Sequence, residues 1–275
     1  MIQSGMGENA DLTKGPDRKT ILVTNDDGVR SPGLMALFRA VRGLGDAYVV
    51  APDRERSAVG HALTMHRPLR VEELGEVGFF SVNGTPTDCV AVGMQKLLPV
   101  KPALVVSGIN RGANLGDDIT YSGTVSAAIE GTIMGIQSFA VSLFLDPADG
   151  KVQHYETAGH YATLVASFVM ENPLPYDTLL NVNVPNVPVG EVKGIRFTRQ
   201  SKRIYDGAIH ETRSPWGEIY YWIGGGKPFW EHGDDTDMNA VAGGYVSVTP
   251  IHLDLTNRAA IDWLKSKWPD GYGQK

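Results

Sequence analysis

The stretch from Ile21 to Gly33 restricts the possible folds more than any other part of the sequence. Its apolar beginning, Ile21–Val23, predicts a buried β-strand, because aliphatic and β-branched residues suit a covered, pleated surface. The polar residues that follow, Asn25–Gly28, predict a turn at the carboxyl end of that strand. Ligands of open α/β sheets bind at this end of the strands. We therefore expect an α/β fold with a site that begins at Asp26 and Asp27.

Two adjacent carboxylates at a strand end allow two interpretations. They repel each other and lose water on burial, which is costly unless a cation neutralises them. A hard divalent metal held by Asp26 and Asp27 is therefore one interpretation. Asn, Asp and Gly are also common turn formers, so an ordinary polar turn is the other. The stretch alone leaves both open.

Strand and helix signals alternate over the first two thirds of the chain. Apolar residues at helical spacing between Leu34 and Leu44 precede a second strand, Ala47–Val50, which completes a parallel, right-handed βαβ unit. The next helix begins near residue 87, with Thr87 or Asp88 as its expected cap. Further strands are predicted at Leu69–Glu73, Gly78–Val82, Ala103–Ser107, Phe139–Leu143 and Leu179–Val184, and further helices at Val125–Met134 and Thr157–Met170.

Four loops at predicted strand ends carry oxygen-bearing side chains. They are Asp26 with Asp27, Ser57, Asn110 with Asn114, and Ser122 with Thr124. Parallel strands bring their carboxyl ends to one edge, and carboxylate, hydroxyl and amide oxygens there suit Mg²⁺, Mn²⁺ or Ca²⁺. A hydroxyl at a helix start caps free amides that can also bind a phosphate. A metal beside a phosphate would support phosphoester hydrolysis, since a water on the metal is easier to deprotonate.

Each of these features also has a simpler interpretation. Ser57 can be an ordinary loop hydroxyl, and Asn110 and Asn114 can satisfy turn backbone. Ser122 can cap its helix without a ligand, which is the commoner case. Two further acidic clusters are interpreted as solvated loop residues, with contact to the metal region as the alternative: Asp117/Asp118 and Asp234/Asp235/Asp237.

Composition limits the class of protein and its partners. The chain has 275 residues, 42% of them hydrophobic, and a net charge of −6, which argues against sequence-independent binding to nucleic acid. Its single cysteine, Cys89, excludes an intrachain disulfide, fits a reducing cytoplasm and is expected to be buried. No apolar run approaches the ~20 residues of a membrane span. Residues 1–19 are polar and are expected to form a flexible extension.

The pattern changes near residue 196 to short alternating runs, which are typical of strands and hairpins. Aromatic residues in this part favour either an oligomer interface or packing on the core, and a final helix is predicted at Arg258–Lys267. The aromatic residues are Trp216, Trp222, Phe229 and Trp230.

Several other catalytic signatures are missing from the sequence. The histidines lack the H-x-x-x-H and HExxH spacings of zinc sites, and no Gly-x-Ser-x-Gly nucleophile elbow occurs. Gly224–Lys227 lacks the first glycine and the Ser/Thr of a phosphate-binding loop, so we interpret it as a flexible hairpin turn.

Several ordered motifs together resemble the SurE family, the survival-protein 5′-nucleotidases. They are Asn25–Gly28, Ala51–Arg54 with Ser57, Gly84–Val90, Ser107–Asn110 with Asn114–Gly116, Tyr121–Thr124, Asn181–Pro185 and Gly244–Pro250. The resemblance extends from about Thr20 to the C-terminal helix. It implies a three-layer αβα Rossmann-like fold with a mostly parallel sheet, a C-terminal β-hairpin extension and a terminal helix.

The resemblance also implies which residues form the site. The family's metal ligands fall on Asp26, Asp27, Ser57 and Asn110, and its phosphate and substrate contacts fall on Asn114, Ser122, Gly123 and Thr124. Arg111, the N-terminal extension and the segment from Ser201 to Asp237 depart from the family pattern. Members of the family form dimers or tetramers through the C-terminal hairpin and helix.

We therefore predict a cytoplasmic 5′-nucleotidase that uses Mg²⁺ or Mn²⁺ and hydrolyses nucleoside monophosphates by attack of a metal-bound water. Asp26 or Asp27 is the candidate general base. The expected division is a flexible extension at 1–19, a Rossmann-like catalytic core at 20–195 and a hairpin-rich extension at 196–275. The protein should form a homodimer or homotetramer and should require neither polymeric nucleic acid nor a membrane.

Two alternatives remain open at this point. A phosphatase with a covalent Asp nucleophile is one, although its D-x-D-G-T signature is absent because the two acids are adjacent. A nucleotide-sensing interaction protein without turnover is the other.

Overall fold

A nine-stranded sheet with helices on both faces forms the centre of the protein. The computed structural model describes residues 18–75, 77–146, 152–204, 209–223, 229–231 and 233–268. The strands are β1 (Thr20–Thr24), β2 (Asp46–Pro52), β3 (Val71–Glu73), β4 (Phe79–Val82), β5 (Leu104–Arg111), β6 (Gln137–Phe144), β7 (Thr178–Pro185), β8 (Ile195–Phe197), β9 (Arg203–Ile204), β10 (Ile209–Arg213), β11 (Ile219–Ile223), β12 (Phe229–Trp230) and β13 (Val246–His252). The helices are α1 (Pro32–Val41), α2 (Pro86–Val92), α3 (Gly123–Ile133), α4 (Tyr155–Glu171), α5 (Asp237–Ala242) and α6 (Arg258–Lys267).

The strand order across the sheet is β3-β4-β2-β1-β5-β6-β7-β13-β8. Every pairing from β4 to β7 is parallel. Among the described strands of this sheet, antiparallel pairs occur only between β3 and β4 and between β7 and β13. Parallel neighbours need crossover connections, and helices α1, α3 and α4 supply those of β1–β2, β5–β6 and β6–β7. The predicted fold class, a three-layer α/β fold with a mostly parallel sheet and added C-terminal strands, is confirmed.

Alternating side chains along the buried strands build the core on both faces of the sheet. In β1, Ile21 and Val23 pack with α1 and α4, whereas Leu22 packs on the opposite face, on the side of α2 and α3. Cys89 belongs to this second cluster and is fully buried, as expected. Burial on both faces explains why these strands are continuously apolar in the sequence.

Helix α2 begins earlier than predicted. Its cap is Thr85, and the prediction of Thr87 or Asp88 was wrong. The Thr85 hydroxyl accepts a hydrogen bond from the Asp88 amide, while the Asp88 carboxylate accepts one from the Thr85 amide. Pro86 occupies the first helical position, where an amide hydrogen is not needed. The sequence signal was missed because Asp replaces the usual Glu or Gln of a capping box.

Strand β5 extends into the loop that the sequence predicts. It continues to Arg111, with a register shift between Ser107 and Asn110 where it pairs with β6. Gly108 lies at this irregularity, and a Cβ there would come within 2.2 Å of the Val141 carbonyl oxygen. The glycine therefore permits close strand pairing rather than a turn. A 3₁₀ helix, Gly116–Thr120, follows.

The C-terminal third contributes both to the central sheet and to an exposed arm. β13 lies between β7 and β8 in the sheet. We use the name arm for residues 199–231 as far as the structure describes them, which include the hairpin β10–β11 and the antiparallel pair β9–β12. Every side chain of β10 and β11 is exposed, and α6 has no buried residue.

Some predictions fall outside the described residues. The turn at Gly224–Lys227 and nearly all of the N-terminal extension belong to this group. The division at residue 196 remains a prediction. No helix in the part of the chain that the structure covers is long and apolar enough to cross a membrane.

Candidate active site

The predicted site residues meet at the carboxyl ends of β1, β2 and β5, next to the start of α3. A cavity of about 560 Å³ lies there. The predicted residues that line it are Asp26, Asp27, Ser57, Asn110, Asn114 and Ser122. Gly123 and Thr124, which were also predicted, lie directly behind this wall and contact Asp26. The structure therefore brings all eight residues together.

Asp26 is buried at the first turn of α3. Its side chain is 6% exposed, and its carboxylate accepts a short hydrogen bond from the Thr124 hydroxyl. A Cβ on Gly123 would lie 2.8 Å from the Asp26 Cβ, so only glycine permits this approach. Loss of water on burial raises the pKa of Asp26, although its hydrogen bond to Thr124 acts in the opposite direction.

Asp27 is the more accessible of the two acids. Its Oδ2 accepts a hydrogen bond of 3.2 Å from the backbone N–H of Arg111. Burial and the neighbouring charge of Asp26 raise the pKa of Asp27 to about 6. Two carboxylates that resist ionisation when no cation is present make a site that a cation would stabilise. Arg111, which departs from the family pattern, takes part through its backbone.

Ser57 stands on the loop after β2. It is exposed, and its Oγ donates a hydrogen bond of 2.6 Å to Oε1 of Glu55. The same loop is anchored to the acids because the Arg56 amide donates to the Asp26 carbonyl oxygen at 2.7 Å. Glu55 also lines the cavity, and its charge contributes to the raised pKa values of both acids. Sequence reasoning missed Glu55, because a single Glu in a charged loop carries no signal.

Asn110 lies on the last, irregular part of β5. Its side-chain amide donates to the Gly112 carbonyl oxygen at 2.8 Å, which fixes the side chain along the cavity wall. An asparagine side-chain oxygen is a ligand that hard cations accept. The irregular register at Ser107–Asn110 is what places this residue beside the end of β1.

Asn114 is held by hydrogen bonds to side chains of β6 and β7. Its side-chain amide donates to Ser142 Oγ at 2.8 Å, and its backbone amide donates to Oδ1 of Asn183 at 2.9 Å. Its carbonyl oxygen accepts from the side-chain amides of Asn181 and Asn183. These two buried asparagines of β7 were not predicted as site residues. Their signal was available, since polar residues alternate with Leu and Val in a strand that is buried on both faces.

Ser122 caps α3, and its Oγ accepts a hydrogen bond of 3.1 Å from the Val125 amide. The first turn of this helix therefore has free backbone amides and the positive end of a helix dipole next to Asp26. Both favour an anion such as a phosphoryl group.

The acidic clusters agree only in part with the prediction that they are solvated. Asp118 lines the cavity and pairs with Arg203, and Asp117 pairs with Lys202 at 2.8 Å. Asp237 is fully buried, so its assignment as a solvated residue was wrong. Asp235 is mainly exposed and forms a salt bridge with Arg199, as expected of a surface acid.

Asp237 connects three separate segments of the chain. Its carboxylate accepts backbone N–H groups from Gly116 at 2.8 Å, Ser201 at 2.9 Å and Met238 at 2.7 Å. These bonds replace water and make a buried charge tolerable. The loop beside the cavity, the base of the arm and the start of α5 are thereby tied together. Only Met238 is near Asp237 in sequence, which is why the prediction failed.

The donor set fits a hard divalent cation. Two adjacent carboxylates, one buried and one partly buried, line the same cavity as a hydroxyl and a side-chain amide, and all of these groups carry oxygen atoms. Among the described residues, no group of three or more His, Cys, Asp and Glu side chains is placed to hold a metal, so these acids would need the hydroxyl and amide oxygens as further ligands.

Comparison with known proteins decides the family. Residues 21–207 match the family model described as Survival protein SurE. The chain belongs to the SurE family. A relative named 5′-nucleotidase SurE from Geobacter sulfurreducens is 55% identical over 246 residues, which cover 90% of this chain and 92% of the relative. A relative of the same name from Pelobacter propionicus is 54% identical over 88% of this chain and 96% of its own.

A solved structure of the family also resembles the fold. The crystal structure of the SurE protein from Aquifex aeolicus has 44% sequence identity and a TM-score of 0.79, covering 90% of this chain and 98% of its own. The predicted family is therefore confirmed. The shared name of the SurE relatives agrees with the expectation of an enzyme.

Proposed function

We propose that this chain is a metal-dependent 5′-nucleotidase, which hydrolyses nucleoside monophosphates to nucleoside and phosphate. The observation that carries the proposal is the contact between Asp26 and the first turn of α3. The Thr124 hydroxyl donates a hydrogen bond to the Asp26 carboxylate, and Gly123 packs on that side chain. A carboxylate that suits a cation therefore lies directly beside helix amides that suit an anion. The names of the SurE relatives support a nucleotide as the anion.

Asp26 and Asp27 would hold the cation, with Ser57 and Asn110 completing its protein ligands. Mg²⁺ or Mn²⁺ bound there would lower the pKa of a water and withdraw charge from the phosphoryl oxygens. Asn114 and the amides of the first turn of α3 would orient the phosphoryl group. Their rigid support from β7 restricts that group to one position, which favours reaction.

Asp27 is the better candidate for the general base. Asp26 already accepts a hydrogen bond from the Thr124 hydroxyl and is only 6% exposed. Asp27 has only a longer bond from a backbone amide and remains accessible. It can therefore accept a proton at its carboxylate while Asp26 keeps its position.

The arm would form the interface of a homodimer or homotetramer. Its hairpin exposes apolar side chains on both strands, and α6 adds an exposed apolar side of its own. Surfaces of this kind mark contacts with another protein. This role supports the proposed division into a core at 20–195 and an extension at 196–275, even though β8 and β13 pair within the central sheet.

Phosphate release from a panel of nucleoside monophosphates tests the function. We expect turnover with Mg²⁺ or Mn²⁺, no turnover with chelator, and a roughly 10³-fold loss in Asp26→Asn and Asp27→Asn, because each removes a charge next to the reacting group. Asp46→Asn is the matched control, since this acid lies at the amino end of β2. Its activity should be unchanged.

Three results would contradict the proposal. Full turnover in chelator would exclude the metal, and a trapped phosphoaspartyl enzyme would favour a covalent nucleophile. Nucleotide binding without phosphate release under any metal would favour a sensing protein.

A further inference from the structure

A second cavity adjoins the candidate active site on the far side of Asp27. It has a volume of about 370 Å³, within the range of small-molecule pockets. It shares Asp27, Glu55 and Arg111 with the first cavity, so these three residues form the wall between them. A ligand that reacts at Asp27 can therefore extend into this space.

The lining of the second cavity differs in chemistry from that of the first. Four carboxylates line the first cavity: Asp26, Asp27, Glu55 and Asp118. The second cavity has three carboxylates, Asp27, Asp53 and Glu55, and shares Arg111 with the first. It adds two further arginines, Arg30 and Arg54, and the half-buried ring of Tyr155 at the start of α4. Within the residues that the structure describes, the guanidinium groups of Arg30 and Arg54 have no hydrogen-bond or ion-pair partner. These donors are available to a ligand.

Tyr155 lies against the backbone at the start of α1. Its ring edge lies close to Gly33, where a Cβ would come within 3.2 Å of Tyr155 Cε1. The ring is near enough to Asp27 for that carboxylate to contribute to its raised pKa, with burial as the larger cause. An aromatic ring next to donor-rich side chains is a combination that binds a planar base with acceptor atoms at its edge.

We propose that this second cavity binds the nucleoside part of the substrate, with the base stacked on Tyr155 and its acceptor atoms facing the arginines. The inference rests on the proposed nucleotidase function and names how that function recognises its substrate. In this arrangement the first cavity holds the cation and the phosphoryl group, and the two additional arginines of the second cavity face the base. The substrate passes from one cavity to the other beside Asp27 and Arg111, which line both.

Substrates with and without a base separate nucleoside binding from chemistry. KM and kcat are measured for AMP and for glycerol phosphate in the wild type, Tyr155→Ala, Tyr155→Phe and Tyr176→Ala, an exposed tyrosine remote from both cavities. In Tyr155→Ala we expect KM for AMP to rise about tenfold, the size expected for one stacked base, with kcat/KM for glycerol phosphate changed less than twofold. Tyr155→Phe keeps the ring and should behave as the wild type.

Adenosine provides a readout that does not depend on turnover of a nucleotide. It should inhibit glycerol phosphate hydrolysis, and Tyr155→Ala should weaken that inhibition about tenfold. Equal losses for both substrates in Tyr155→Ala would mean a structural role and would overturn the proposal. So would unchanged KM for AMP, a failure of adenosine to inhibit the wild type, or the same AMP-specific loss in Tyr121→Ala, whose ring is 62% exposed beside the first cavity. No phosphate release from either substrate by the wild type would instead reject the nucleotidase function itself.

Discussion

The candidate active site buries polar side chains, whereas the arm exposes apolar ones. At the site, Asp26 is 6% exposed and Asn114 is 8% exposed, although both are polar. In the arm, Trp222 is 65% exposed and Ile223 is 89% exposed, although both are apolar. A buried carboxylate without a cation is costly, and so is a large apolar surface in water. The proposed function assigns each region a different partner, a cation for the site and a protein surface for the arm.

The two regions are joined at the base of the arm. Asp237 bonds the amides of Gly116 and Ser201, and the Gln200 side chain donates to the Gly116 carbonyl oxygen at 3.0 Å. Arg203 pairs with Asp118, which lines the first cavity. Substitutions at the site, at this junction and in the arm should therefore affect catalysis to different extents.

Among substitutions that compare the site, the junction and the arm, we expect the largest effect at the site, from Gly123→Ala. The new Cβ would lie 2.8 Å from the Asp26 Cβ and 3.0 Å from its Oδ2, so the carboxylate must move. We expect a loss of about 10²-fold in kcat, because small displacements of reacting groups can cost that much. Gly190→Ala is the control, since nothing lies within 4 Å of its Cβ position. Wild-type turnover in Gly123→Ala would show that the contact with Asp26 is not needed.

An intermediate effect is expected at the junction, from Asp237→Asn. An asparagine cannot accept all three amides, so one buried N–H loses its partner at a cost of about 1–3 kcal/mol. Urea unfolding should show this loss, and KM for the nucleotide should rise several-fold as the loop at Gly116 loosens. Asp235→Asn, which changes an exposed acid, should leave both quantities unchanged. A loss of stability with an unaltered KM would mean that the junction does not position the site.

The smallest effect on catalysis is expected in the arm, from Trp222→Ser. This substitution removes exposed apolar surface and the hydrogen bond from the indole N–H to Thr212. The mass in solution, measured by light scattering, should fall toward that of a single chain, with kcat/KM within about twofold of the wild type, because exposed sites contribute little to the folded core. Glu211→Gln, on the neighbouring strand, is the control. A loss of turnover like that of Gly123→Ala would show that assembly completes the site.

Much of the fold could be predicted because each element carries a local signal. Runs such as Ile21–Val23 and Leu104–Val106 are apolar since both faces of the sheet are covered. The βαβ order then determines which strand ends share an edge. The position of β13 between β7 and β8 could not be predicted, because strand order depends on contacts between residues far apart in sequence.

The site could be predicted as a set of residues but not as an arrangement. Asp26, Asp27 and Ser122 stand at strand ends or helix starts, and these positions are visible in the sequence. The support from Asn181, Asn183 and Asp237 depends on tertiary contacts, so a solvated loop was the natural expectation for Asp237. The second cavity was also missed, since Tyr155 and Arg30 belong to separate segments without a shared motif.

The place of β13 has a consequence for the newly made chain. β8 is synthesised about fifty residues before β13, yet it reaches the sheet only by pairing with β13. While the ribosome is still translating the arm, the free side of β7 has an unpaired row of backbone groups. Such an edge can pair with a neighbouring nascent chain. Expression conditions that slow synthesis past residue 200 should therefore increase aggregation, and a chaperone that shields the β7 edge should reduce it.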